Sequence, residues 1–414
     1  MRRLGFWSAL CAGLLLAASA QAADLHWARS WGASPQAPSA AIGPFPGSPT
    51  FHDQTIRQVV RISGGGRVRI RLTNEFGTTP LAIGAAHLAL AASGGSVQPG
   101  SDHVLTFGGQ PTATVRAGAP LLSDPVDMPF AALSRLAISL YLPGAVDACT
   151  CHGTAVEPAY VAAGDVTGAP AMPADAKVVQ SRALIAAVEA GSATPARTIV
   201  AFGDSITDGV GSTMGADRRW PDQFAERLLR AGSPAAYISN EGISGNRVLN
   251  DGFGVSALAR FDRDVLATPG LAYVIVFEGI NDIGLSFMSR TGGPIPDAFK
   301  ALSGAPITAE DIIAGYKQLI VRAHERGVKI YGATITPYEG ASTFSPAGEQ
   351  ARQTVNAWIR TGGGFDAVLD FDAAIRDPAH PSQIKDGFHM GDHLHGSDAG
   401  YKAIADSIDL SLFR

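Results

Sequence analysis

Two patterns of hydrophobic and polar positions succeed one another along the chain. From about Asp24 to Ala190, Gly and Pro punctuate short runs in which apolar residues recur at every second position. In Val68-Arg69-Ile70-Arg71-Leu72 the aliphatic side chains share one face and the arginines the other, and Leu136-Ala137-Ile138-Ser139-Leu140-Tyr141-Leu142 repeats the alternation. That is the signature of half-buried antiparallel strands. Ile56 to Ile62, Leu81 to Leu90, Val104 to Phe107 and Thr112 to Arg116 are further candidates at hairpin-like spacing, and no amphipathic helix competes with them. The expectation is an all-β sandwich or jelly roll. A stretch rich in Ala, Gly and Pro, from Gly164 to Pro195, links it to the carboxyl-terminal half. Val178 to Val188 is an extra candidate for pairing with one of the sheets, which leaves the boundary open.

After Pro195 strands alternate with helices. Thr198 to Phe202 is a buried-strand run cut off by Gly203; Trp220, Phe224 and Leu228 then recur at helical spacing, with Pro221 in the first turn. Ala235 to Ser239 reads as a short strand and Tyr273 to Phe277 as a central one. Thr308-Ala309-Glu310-Asp311 resembles a capping box opening a helix that buries Ile312, Tyr316, Leu319, Ile320 and Ala323. Next come a strand over Lys329 to Thr334, a helix over Ala347 to Arg360 and a strand over Ala367 to Leu369. Ser397 or Asp398 then caps a last helix with Tyr401, Ile404, Ala405 and Ile408 on its buried face. This alternation predicts a parallel sheet covered by helices on both faces. Ligands of such sheets bind at the carboxyl ends of the strands.

The first residues change the picture of where the chain works. Arg2 and Arg3 precede an apolar run from Leu4 to about Ala18 and the small-residue sequence Ala20-Gln21-Ala22. This reads as a signal peptide over residues 1–22, cleaved after Ala22, and implies a secreted or periplasmic product. The run is shorter than the ~20 apolar residues a membrane span needs, and no later stretch is long and apolar enough. With Cys11 inside the apolar run, away from the cleavage point, a lipoprotein is not indicated. The remaining chain is past the size at which one core splits, so the expected division is a β domain over 23–190 and an α/β domain over 191–414. Lys and Arg number 32 against 37 Asp and Glu, a formal net charge of −5, and loss of Arg2 and Arg3 makes the product more acidic. Neither nucleic acid nor an anionic membrane surface is suggested as partner. Cys149-Thr150-Cys151-His152 lacks a second ligand pair for a four-coordinate zinc site, so a local disulfide, or one to another chain, is expected.

Candidate chemistry centres on Gly203-Asp204-Ser205, a Gly-flanked turn that presents a serine at the end of the first α/β strand. Such a serine needs a base, and preferably a carboxylate to orient it. The His-rich segment from Asp386 to Tyr401 offers two Asp-x-x-His pairs, Asp386 with His389 and Asp392 with His395. The second is favoured, because His395 immediately precedes the Gly396-Ser397 start of the last helix, and a packed element can fix its ring. Gly245 and Asn281 follow the second and third α/β strands, and with Ser205 they would gather on one sheet edge. Taken singly, each is ordinary turn material.

Four segments together resemble the GDSL-type, or SGNH, serine hydrolases: Gly203-Asp204-Ser205-Ile206-Thr207, Gly242-Ile243-Ser244-Gly245-Asn246, Gly279-Ile280-Asn281-Asp282 and Asp392-His393-Leu394-His395. The resemblance runs from about Thr198 to the end, with Ile206 in place of the family's leucine. It implies a flavodoxin-like three-layer α/β sandwich. It further implies Ser205 as nucleophile, His395 as general base and then acid, and Asp392 as its orienter. The oxyanion hole would comprise the backbone N–H groups of Ser205 and Gly245 and the side-chain amide of Asn281. Acyl transfer would proceed through an acyl-enzyme without metal or organic cofactor, and Asp204 and Asp208 would be structural members of the turn. The β-rich first half, with Arg218-Arg219-Trp220-Pro221, Thr336-Pro337-Tyr338-Glu339-Gly340 and Gly391-Asp392-His393-Leu394-His395, is similar to a secreted subgroup grouped with acetylxylan and aryl esterases. Small-molecule or polysaccharide esters, carbohydrate acetates or short-chain aryl esters foremost, are the substrates this implies. The alternatives are a lipase or lysophospholipase-like acylhydrolase and, from another class, a carbohydrate-binding protein with a vestigial hydrolase domain. By position, Gly284 to Pro306 is expected to border the cleft and shape acyl selectivity, the alternative being a surface insertion.

Overall fold

The computed structural model describes residues 25–41, 47–128, 130–233, 236–288 and 307–414. The segment read as a signal peptide and most of the stretch after Asn281, residues 289–306, lie outside the described residues. The first residues of the stretch from Gly284 belong to the helix Ile280–Met288.

The amino-terminal half is two facing antiparallel sheets. One has the order Lys177–Val179, Ala159–Ala163, Gln54–Arg61, Arg135–Leu142, Ala85–Leu90, His103–Val104. The other runs His26–Gly32, Ile185–Ser192, Arg67–Thr73, Pro120–Leu122, with Val126–Asp127 also pairing Arg67–Thr73. Ile56, Val60, Leu136, Ile138 and Leu140 from one sheet meet Val68, Ile70, Leu72 and Val188 from the other in one core. Alternation located the strands well, but two runs break. Leu81 to Leu90 splits at Gly84 into Leu81–Ile83, which pairs with Ala113–Val115, and Ala85–Leu90, which pairs with Arg135–Leu142. Val178 to Val188 divides among Lys177–Val179, Arg182–Ala183 and Ile185–Ser192, the last of these central in its sheet.

The carboxyl-terminal half is a five-stranded parallel sheet of order Ala236–Gly242, Arg197–Gly203, Leu271–Phe277, Lys329–Ala333, Ala367–Leu369. That is the flavodoxin-like order, with strand two outside strand one. The three middle strands are apolar because helices cover both faces. Trp220 and Phe224 from the helix Trp220–Arg230 are fully buried, as are Tyr401 and Ile404 from Asp398–Ser407. Helix starts follow local chemistry: Thr308 and Asp311 form a capping box, and Ser397 Oγ accepts from the N–H of Gly400. Among the described residues no helix is long and apolar enough to cross a membrane.

The strand His26–Gly32 joins the halves. The N–H of Arg29 donates to Thr198 Oγ1 at 3.0 Å and its guanidinium to Glu241 at 3.1 Å. The backbone at Gly32 lies so close to the second parallel strand that a Cβ there would sit 2.1 Å from Ser239 Oγ and 2.2 Å from Glu241 Oε1. Any side chain at Gly32 would push the β sandwich off the parallel sheet.

Candidate active site

The strand Arg197–Gly203 ends at the sheet's carboxyl edge, and the chain turns at once into a single helical turn, Ser205–Asp208. Asp204 caps it: its carboxylate accepts from the N–H of Ile206 at 2.9 Å, and Gly209 closes it with φ 105°. Ser205 is thereby held at a helix N-terminus, its carbonyl accepting from Gly209 and Val210. Its hydroxyl lies 2.9 Å from His395 Nε2, and His395 Nδ1 lies 2.5 Å from Asp392 Oδ2. The other Asp392 oxygen accepts from the N–H groups of Leu394 and His395, both at 3.0 Å. Burial opposes the Asp392 charge, but the bond and charge of His395 and these two N–H groups prevail and hold the carboxyl down at about 2. An ionised Asp392 accepts a hydrogen bond from the N–H at Nδ1. Nε2 is then left as acceptor for the Ser205 O–H, which is the tautomer a general base needs.

Of the two Asp-x-x-His pairs, the structure brings Asp392 and His395 to Ser205. His389 has another place. Its Nδ1 accepts from the N–H groups of Gly391 (3.1 Å) and His393 (3.3 Å), and its ring packs on that of His393 at 4.2 Å. It braces the loop that carries Asp392.

Gly245 follows the strand Ala236–Gly242, and Asn281 stands in the first turn of the helix after Leu271–Phe277. Gly245 has φ 77°, and a Cβ there would meet the ring of Phe253 at 2.4 Å, so only glycine fits. The Asn281 amide donates to the carbonyl of Asn246 at 2.9 Å, which ties it to the Gly245 turn and leaves its second N–H free of that bond. All three segments sit at one sheet edge.

Buried ionisable side chains behind this edge escaped sequence reasoning. Arg260 donates to the carbonyls of Gly203 (2.9 Å) and Glu241 (2.7 Å) and to Asn246 Oδ1 (2.8 Å), so one side chain ties the ends of strands one and two. Its signal was an arginine inside the apolar run Ala257-Leu258-Ala259-Arg260-Phe261. Asp282 accepts from Val248 and Leu249, and burial pushes its carboxyl up to about 6 against those bonds. Glu278 is fully buried, with neither carboxylate oxygen hydrogen-bonded and Arg260 3.6 Å away. Burial and then the Asp204 charge raise its carboxyl well above the ordinary value, and Arg260 only partly offsets them. The fold therefore keeps a proton that the unfolded chain releases above its ordinary value of about 4.3, and stability falls as pH rises from there. Glu278→Gln removes that proton dependence. Its advantage over the wild type should grow as pH rises above the ordinary carboxyl value, by at most about 1.4 kcal/mol per pH unit, read from urea midpoints. A constant difference would place the Glu278 proton elsewhere.

A parallel α/β sheet presenting a Ser–His–Asp chain at its carboxyl edge is the framework of a serine hydrolase. Residues 201–403 match the GDSL-like lipase/acylhydrolase family and form a domain of that kind, which makes the protein a serine ester hydrolase. No curated protein matches the chain significantly. Similar solved structures include a variant of an acetyl xylan esterase from Geobacillus stearothermophilus (20% identity, 51% of this chain and 92% of that one, TM-score 0.38). A lipase/acylhydrolase from Enterococcus faecalis matches at 20% identity over 51% and 92% of the two chains, with TM-score 0.37. A GDSL-like lipase from Bacteroides thetaiotaomicron matches at 18% over 52% and 88%, with TM-score 0.36.

Proposed function

We propose that the protein is a secreted or periplasmic esterase that removes short acyl groups, acetyl foremost, from carbohydrate or aryl alcohols through an acyl-enzyme on Ser205. The observation that carries it is the continuous chain Ser205 Oγ, His395 Nε2, His395 Nδ1, Asp392 Oδ2 at 2.9 and 2.5 Å. In the first half-reaction Ser205 Oγ attacks the ester carbonyl while His395 takes its proton, and the N–H groups of Ser205 and Gly245 and the Asn281 amide receive the oxyanion. His395 then returns the proton to the departing alcohol. Water, deprotonated by the same imidazole, attacks the acyl-enzyme, and the acid leaves as Ser205 regains its hydrogen.

The ring of Phe253 fills the space a Cβ on Gly245 would take, beside the proposed oxyanion donors, and a short acyl group is the one we propose for this crowded edge. Export is supported by the Arg2-Arg3 and apolar leader and by the disulfide between Cys149 and Cys151, a bond typical of oxidising compartments. An intact relay argues for activity over a vestigial domain. The test is a panel of acetylated xylan, p-nitrophenyl esters of increasing chain length and a phospholipid. Expected is kcat/KM highest for acetyl esters and falling at least about tenfold by octanoate; a preference for long chains or phospholipid would replace this reading with the lipase one.

A further inference from the structure

His152 stands in the amino-terminal half, in a two-stranded ribbon where Cys151–His152 pairs with Arg182–Ala183, beside the Cys149–Cys151 bridge, yet its ring reaches the turn that carries Ser205. It is buried, with Nδ1 2.9 Å from the carbonyl oxygen of Ser34 and Nε2 3.0 Å from Asp208 Oδ1. A carbonyl oxygen only accepts, so Nδ1 must donate. Asp208 accepts at its other oxygen too: Oδ2 takes the N–H of Ser244 at 3.0 Å and its O–H at 2.6 Å. With Asp208 as a carboxylate, Nε2 donates as well, and the ring that carries both protons is an imidazolium.

The far end of this hydrogen-bonded chain gives it consequence. Asp208 is the last residue of the nucleophile's turn, and Ser244 is the residue before Gly245. One carboxylate therefore fixes the two segments that supply backbone donors to the oxyanion, and Asn240 reinforces the clamp by donating to the carbonyl of Thr207 at 2.7 Å. Resting on the oxyanion hole proposed above, we propose that His152 is a positioning residue: its imidazolium holds Asp208 against Ser244 and so sets the amide of Gly245 for the transition state. The amino-terminal half is on this view part of the catalytic apparatus, because it supplies the counter-charge on which that amide's position depends.

The charges facing the ring are Asp208 from the nucleophile turn and Glu241 from the end of the second parallel strand. Arg219 faces Asp208 from the helix beyond, and Arg29 pairs Glu241. Burial alone would lower the pKa of His152. The Asp208 charge and bond, the Ser34 carbonyl and Glu241 prevail and raise it above the ordinary 6.5. The clamp is accordingly complete below that raised value and is lost as pH climbs through it.

The experiment measures kcat and KM for p-nitrophenyl acetate across about pH 5 to 10 for the wild type, His152→Gln, Ser244→Ala and Asn281→Ala, each with a melting curve. His152→Gln keeps a donor toward Asp208 but carries no titrating charge. It should lower kcat about tenfold or more with KM within about twofold, and it should lack the alkaline fall in kcat that the wild type shows. Ser244→Ala, at a part-buried position that keeps its N–H, should lower kcat in the same way, and it decides the matter if His152→Gln does not fold. Unchanged kcat in Ser244→Ala, or a wild-type alkaline limb preserved in His152→Gln, overturns the proposal. Asn281→Ala separates the two readings. Its expected loss of about 10²- to 10³-fold in kcat, beside unchanged His152→Gln and Ser244→Ala, leaves the oxyanion hole standing and removes the role of His152. An active Asn281→Ala removes the hole itself.

Discussion

Ser205→Ala is expected to lower kcat for p-nitrophenyl acetate by about 10⁴- to 10⁶-fold, or about 5 to 8 kcal/mol of transition-state stabilisation, with the folded state unchanged. The nucleophile is the one part of the relay for which no neighbour can substitute. Without the hydroxyl no acyl-enzyme forms, and the surviving reaction is water attacking a carbonyl polarised by the donors at Ser205, Gly245 and Asn281. Folding should be indifferent, because the side-chain hydrogen bond of Ser205 goes to His395 Nε2 and the turn is held by other groups, the Asp204 cap and the clamp at Asp208. Melting should agree with wild type to within about 0.5 kcal/mol. Retained turnover in a purified, folded variant would sink the assignment of the nucleophile. A collapse in stability would instead reveal a structural role that the hydrogen bonds do not show.

The parallel sheet was legible because strands covered on both faces must be continuous apolar runs, and Thr198 to Phe202 and Tyr273 to Phe277 are such runs. The candidate site was legible for a related reason, since catalytic groups at a sheet edge occupy turns whose glycines and polar residues interrupt those runs in a fixed order. The pattern hid polar burial. His26–Gly32 reads His-Trp-Ala-Arg-Ser-Trp-Gly, with no apolar alternation, yet it is the strand that docks one half on the other. Arg29 can be buried there only because Glu241, 212 residues away, receives it. Arg260 and the His152–Asp208 pair share this property. Each is an improbable core residue alone and an ordinary one beside its partner, and the partner is named by the fold rather than by any local period. Gly84 gives the complementary case. Alternation continues through it, but Tyr141 packs where its side chain would be, and the run divides between two sheets.

The two histidines of the Asp-x-x-His pairs should separate by orders of magnitude. His395→Ala removes the group that accepts the Ser205 proton at 2.9 Å and leaves Asp392 ionised with nothing to orient, so kcat should fall about 10⁴-fold or more. His389→Ala leaves that relay chemically complete. It removes the acceptor for the N–H groups of Gly391 and His393 and the ring stacked on His393, so the loop bearing Asp392 loosens and kcat should drop only about tenfold, with a lower melting temperature. The backbone keeps both variants informative: the N–H of Met390 donates to the carbonyl of His395, a bond independent of either side chain, so the loop retains its closure when one ring is removed. Asp392→Asn supplies the third measurement. An amide can present its oxygen or its N–H₂ to Nδ1, and the second choice favours the tautomer with the proton on Nε2, which cannot accept from Ser205; kcat should therefore fall by about 10⁴ although the side chain is nearly isosteric. Should His389→Ala prove the more damaging of the two histidine variants, the base would belong to the Asp386–His389 pair. The His395 geometry would then describe a resting arrangement that the loop must leave before turnover.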